Sequence, residues 1–190
     1  MKVLLTGATG LAGAEALRQC VLDPNVERVF VLSRKPVSAE SDKVEPIVHT
    51  DFTSYAGLES VLAASDACIF CLGIAQRLVS REAYERITFD FPVAAGRAIL
   101  EANPRATFCF LSGQGADSAE KSRILFARVK GRAENALLAM SDRVFCFRPG
   151  FIRPVGPWPD GRSVLERAMG AIAPGVRKVT MLLVTREVTS

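Results

Sequence analysis

The sequence predicts an α/β protein built on a doubly wound parallel sheet, three layers deep (α/β/α), with a small C-terminal appendage. Two observations carry this. The chain opens on a short apolar strand that turns through three glycines straight into a helix. Beyond it, near-continuous apolar runs alternate with amphipathic stretches of helical length, as parallel strands covered on both faces require.

The expected strands are Lys2–Thr6, Arg28–Ser33, Val44–His49, Ala67–Leu72, Ala106–Ser112 and Arg143–Arg148, with the third weakened by Pro46. Helical stretches fall between them at Leu11–Leu22, Tyr55–Ala64, Arg81–Ala102 and Ala119–Met140. Pro92 interrupts the third, which predicts a break or kink there. Residues 1–150 read as the nucleotide-binding part of the domain and 151–190 as a substrate-side segment of that domain. In it, Pro154, Pro157 and Pro159 mark an irregular loop, Arg162–Ile172 a short helix and Val179–Val184 a last strand. A further helix starts at Thr185-Arg186-Glu187, so the C-terminus reads as short for a complete fold.

Composition narrows the function classes. At 190 residues the chain is one domain's worth of sequence, 49% hydrophobic and 23% charged. A net charge of +4, with one Trp and two Tyr, offers neither a basic stripe nor a stacking platform, so no nucleic acid is expected. No apolar run approaches the ~20 residues needed to span a bilayer, and the first strand begins at once, so neither membrane nor signal peptide is expected. The five cysteines lie mostly in strand-like runs. Cys68 and Cys71 are three apart on a strand and point to opposite faces, so they predict buried reduced thiols in a cytoplasmic protein, not a metal site or disulfide. With a single histidine, His49, no Ser-His-Asp triad and no clustered metal ligands can be assembled.

The glycine turn carries the chemistry. Gly7 allows the tight turn off the strand, Gly10 lets backbone approach an anion, and Gly13 lets the helix pack close. The amides of the new helix, at Leu11, Ala12 and Gly13 after Thr9, then face a pyrophosphate. Strand two ends in Ser33-Arg34-Lys35. An NAD site places an acid about 20 positions past the glycines. Here Arg34 stands twenty-one residues after Gly13, and a guanidinium suits a 2′-phosphate. NADP(H) is therefore favoured over NAD(H). All these residues, with Asp51, Gly73, Ser112 and Pro149, sit at carboxyl ends of strands, where doubly wound sheets bind ligands.

The string Thr6-Gly-Ala-Thr-Gly-Leu-Ala-Gly13 resembles the N-terminus of the extended and atypical short-chain dehydrogenases/reductases, a superfamily that also holds epimerases, dehydratases and regulatory NmrA-like proteins. Three further segments, Leu111-Ser-Gly-Gln-Gly-Ala-Asp117, Phe126-Ala-Arg-Val-Lys-Gly-Arg-Ala-Glu134 and Phe147-Arg-Pro-Gly-Phe151, resemble the Tat-interacting-protein-like branch. The likeness runs from Met1 to about Gly156.

This resemblance implies a Rossmann-type fold and a dinucleotide cofactor. It implies that Asp51 and Phe52 contact the adenine and that Cys71-Leu72-Gly73 passes the ribose. Pro149 and Gly150 would pack on the nicotinamide and open the substrate pocket. Lys130 would hold the nicotinamide ribose, and Ser112 lies near the position of a catalytic serine. The family's Tyr-x-x-x-Lys, however, reads Phe126-x-x-x-Lys130 here, and phenylalanine has no proton to give. Two roles remain open: an oxidoreductase on a small carbonyl substrate, with Ser112, Lys130 or water polarising the carbonyl, or a non-catalytic NADP(H)-binding regulator that reports redox state to a protein partner. The sequence leaves oligomeric state open.

Overall fold

A computed structural model describes residues 1–39, 41–150 and 152 and the backbone strand at 181–184. Seven strands form one sheet in the order β3-β2-β1-β4-β5-β6-β7. They are β1 (Lys2–Thr6), β2 (Arg28–Ser33), β3 (Val44–Val48), β4 (Ala67–Phe70), β5 (Thr107–Leu111), β6 (Val144–Pro149) and β7 (Met181–Val184). The first six are parallel. β7 returns antiparallel, with Arg148 opposite Leu182. The helices are α1 (Leu11–Leu22), α2 (Glu59–Ala64), α3 (Arg81–Glu85), α4 (Phe91–Ala102) and α5 (Leu125–Leu138). The expected Rossmann-type α/β fold is therefore present.

Alternation along β1 explains the layering. Val3 and Leu5 turn to one face and pack with Val29, Val31 and α1 residues Ala16 and Leu17. Leu4 turns to the other and joins Phe30, Phe70, Phe108 and Phe110 beneath Leu62 of α2, Ile99 of α4 and Leu137 of α5. The aromatic rings of β4 and β5 stack across the sheet, Phe70 on Phe108 at 6.2 Å.

Two helix starts differ from expectation, each for a local reason. α2 begins at Glu59, not Tyr55: Leu58 N–H closes a turn on Tyr55 C=O at 3.2 Å, and the Glu59 carboxylate accepts from Gly57 N–H at 2.9 Å. α5 begins at Leu125, not Ala119, because the Asp117 carboxylate takes the amides of Ala119, Lys121 and Ser122 at 3.0, 2.8 and 2.7 Å. That holds the segment as a turn, with Glu120 at φ 58°. Asp117 thus organises this loop.

The break expected at Pro92 takes the form of a π turn over Arg86–Asp90, in which Phe91 N–H bonds Arg86 C=O five residues back. Proline offers no N–H to the carbonyl four residues earlier, so the helix widens just before it. Pro46 is accommodated on β3 because β3 is the sheet's outer strand. Lys43 C=O and His49 N–H bond inward to β2, so Pro46, on the other parity, turns its nitrogen outward.

Strand β7 falls within the expected Val179–Val184. The proline-rich loop (Ile152 apart), the helix over Arg162–Ile172 and the helix start at Thr185 lie outside the described residues.

Candidate functional site

The glycine turn is built as its spacing requires. Gly7 has φ 73°, and a Cβ on it would stand 2.6 Å from the backbone of Cys71. A Cβ on Gly13 would lie 2.1 Å from the Gly7 carbonyl oxygen, so what α1 approaches closely is the turn itself. Gly10 caps α1 and hydrogen-bonds Gly7 C=O at 2.9 Å. No side chain caps this helix start and no acid lies in its first turn. The amides of Leu11, Ala12 and Gly13 are thus left for an anion.

This turn opens on a cavity of about 220 Å³. Gly7, Thr9, Gly10, Ser33, Arg34, Phe52, Cys71, Leu72 and Gly73 all line it. Nine residues placed here by sequence reasoning, from four separate segments, are therefore brought together. Arg34 is exposed at the rim. Ser33 Oγ donates to Lys35 C=O at 2.5 Å and fixes the turn on which Arg34 stands. Phe52 is fully buried and packs against Phe91 at 5.7 Å. Burial pushes the Cys71 thiol up to about 11, so it stays neutral and unreactive. All five cysteines are free.

Other predicted residues lie elsewhere. Lys35 is exposed and off the cavity wall. Asp51 is exposed and turns its carboxylate to Thr53, accepting from its N–H at 3.0 Å and its hydroxyl at 2.5 Å. Those bonds hold its carboxyl below the usual range. His49 packs on Phe52 at 5.0 Å and on Tyr55 at 5.2 Å, as part of an aromatic cluster.

Sequence reading missed Ala8, Leu32, Ile74, Ile87 and Phe91 on the cavity wall. Ile87 and Phe91 carried a readable sign: two apolar residues four apart immediately before a helix-breaking proline.

A second cluster lies at the carboxyl ends of β5 and β6, none of it on the wall of that cavity. Lys130 Nζ donates to Leu111 C=O at 3.0 Å and sits 4.6 Å above the Phe110 ring. Burial lowers its ammonium to about 8, against the opposing pull of Glu134. The Phe126 ring lies on Gly113, where a Cβ would be 2.8 Å from Cζ. Pro149 ends β6, and its carbonyl accepts from Gln114 N–H at 2.9 Å, tying the β5 and β6 turns together. Gly150 follows, exposed.

Ser112 is buried, and its hydroxyl donates to the Glu134 carboxylate. Glu134 is fully buried and is gripped by Arg148, Nε to Oε1 at 3.0 Å and to Oε2 at 3.1 Å, with Nη2 also on Oε2. Arg148 Nη2 donates to Ser118 Oγ at 2.7 Å. Glu134 and Arg148 were not singled out from sequence. The sign was a carboxylate one turn after Lys130 on a face otherwise made of Ala127, Ala133 and Leu137, all buried. Among the described residues no group of His, Cys, Asp or Glu could hold a metal ion.

The chain matches no family model. It is 34% identical over 143 residues to the leucinostatins biosynthesis cluster protein T of Purpureocillium lilacinum, covering 74% of this chain and 52% of that protein. It is 30% identical over 157 residues to the mitochondrial protein fmp52 of Emericella nidulans, covering 79% and 66%. The chain thus spans about half to two thirds of the length of these relatives. Relatives from several further fungi are also named mitochondrial, and this overturns the cytoplasmic placement read from the cysteines.

Among solved structures, the chain superposes on the reductase domain of PhqB from Penicillium fellutanum with a TM-score of 0.64 at 21% identity, covering 88% of this chain and 54% of that one. It superposes on MoeE5, in complex with UDP-glucose and NAD, with a TM-score of 0.59 at 16% identity, covering 77% and 52%. At these identities the likeness bears on architecture, and it agrees with the sheet described above: the chain has a Rossmann-type fold.

Proposed function

We propose that this chain binds a nicotinamide dinucleotide, NADP(H) in preference to NAD(H), and works as a short-chain dehydrogenase/reductase-like oxidoreductase on a small carbonyl substrate. The observation that carries the reading is the uncapped start of α1 behind Gly7 and Gly10, opening on a cavity rimmed by Arg34. The residues present fit the group. Amides at the helix start suit a pyrophosphate, Phe52, Ile87 and Phe91 give apolar walls for a planar base, and Arg34 suits a 2′-phosphate. Solved neighbours described with bound NAD support a nicotinamide cofactor.

When bound, the cofactor supplies or accepts hydride. The protein's own part is positioning and proton supply. Lys130, held on Leu111 C=O, is suited to ribose hydroxyls. With Phe126 in place of a tyrosine and the Ser112 proton directed at Glu134, the Lys130 ammonium or water is left to donate to a carbonyl oxygen.

The same two observations favour a second reading, a non-catalytic NADP(H)-binding regulator that reports redox state to a protein partner. Titration of the purified chain with NADPH and NADH, followed by nicotinamide fluorescence, tests the binding that both readings share. Binding of NADPH well ahead of NADH is expected, and binding of neither overturns both.

A further inference from the structure

Lys130 and Glu134 are one helical turn apart on α5 and share a face. Glu134 is fully buried, yet its carboxylate oxygens meet two donors from different strand ends: the Ser112 hydroxyl just after β5 and the Arg148 guanidinium near the end of β6. Arg148 reaches on to Ser118 in the loop that leads to α5. An acid so far from water is retained only where partners satisfy it, and this one is satisfied on both oxygens.

We propose that Glu134 is the positioning residue of this site: its carboxylate holds Ser112 and Arg148 together, fixing the turns after β5 and β6 on either side of Lys130. The proposal rests on the reading of Lys130 as a cofactor-facing group. It makes Ser112 a structural partner of Glu134, not a donor to substrate.

The surroundings of Lys130 support this. From β5 it meets the Leu111 carbonyl and the Phe110 ring. From the end of β4 it faces Cys71, and from β6 it faces Cys146. Burial pushes these thiols up to about 11 and about 12, so both are neutral near pH 8. From its own helix it faces Glu134, which draws it toward the charged form. Glu134 is thus the standing opposite charge beside Lys130 among the described residues.

The test is Glu134→Gln, which keeps shape and removes charge. Competitive acetylation of Lys130 with acetic anhydride, read by mass spectrometry across pH, reports the lysine without any cofactor. The wild-type midpoint is expected at about 8. In Glu134→Gln it should fall by about one pH unit, roughly a fivefold gain in free amine at pH 7. NADPH affinity should fall with rising pH in both proteins, starting about one unit earlier in the variant. Should Glu134→Gln fail to fold with Arg148 unpaired, Glu134→Gln/Arg148→Met removes both charges, and a smaller shift in the same downward direction is expected, since the repelling guanidinium goes with the attracting carboxylate. An unmoved Lys130 midpoint in a folded variant overturns the proposal. A moved midpoint in a chain that binds no NADPH leaves Glu134 in its role and overturns the cofactor reading alone.

Discussion

Gly131 lies against the carbonyl of Asp117 so closely that a Cβ on it would stand 1.8 Å from the oxygen. Asp117 N–H also bonds Ala127 C=O at 2.9 Å. The loop after β5 is thus laid directly on α5, one residue past Lys130.

Gly131→Ala should therefore be severe for a change of one methyl. Its neighbour is backbone pinned at both ends, and the cost expected is ~3 kcal/mol, the upper end for overpacking a close-packed site. Gly96→Ala is the control. Its Cβ would meet a Leu137 methyl at 2.6 Å, a flexible end that can turn away, so about 1 kcal/mol is expected. Urea unfolding midpoints of both variants check the order. Equal losses would show that the 117–131 contact is not rigid.

Arg34→Asp should exchange cofactor preference. The rim guanidinium becomes a carboxylate, which repels a 2′-phosphate and accepts from a 2′-hydroxyl. NADPH affinity is expected to fall at least ~10-fold while NADH affinity holds or rises. A parallel loss for both cofactors, measured by the same fluorescence titration, would remove Arg34 from recognition.

Phe126→Tyr separates the two functional readings. The ring already lies on Gly113 four residues before Lys130, so a hydroxyl is the only addition. A positioned proton donor contributes ~10²-fold or more. Reductase turnover with a panel of aldehydes and NADPH should rise by that order if the site is otherwise catalytic. No gain in a variant that still binds NADPH would favour the regulator.

Lys130 also leaves a mark on stability. Its ammonium titrates at about 8 in the folded chain against an ordinary 10.5. Between those values the unfolded chain binds more protons, so this group makes stability rise with pH across that window. Buried thiols act in the opposite direction at high pH, so the comparison is with Lys130→Met. Wild-type stability measured relative to the variant should climb from pH 8 to 10.5 and then level off. Parallel curves would refute the shift.

Much of this was legible in the sequence because it is local. Gly7, Gly10 and Gly13 each solve a backbone problem within a few residues, and the apolar runs of β1, β2, β4 and β5 follow from burial on two faces. Arg34 was legible because its distance from the turn is fixed by one helix and one strand. Glu134 and Arg148 were not, since nothing in either neighbourhood says that two charges 14 residues apart will meet in the core. The cavity walls at Ile87 and Phe91 depended on a π turn that appears only once Pro92 is set in a helix. Asp117 becomes a cap for three amides only through the path of its loop, which no local pattern announces.

The outward nitrogen of Pro46 has a consequence for how these molecules meet one another. A neighbouring chain that tried to extend the sheet beyond β3 would need an unbroken row of amides to pair with, and the middle of that row carries no hydrogen. This margin is a poor template for a partner's backbone. Strand pairing between copies is thereby disfavoured at the margin nearest the Arg34 rim.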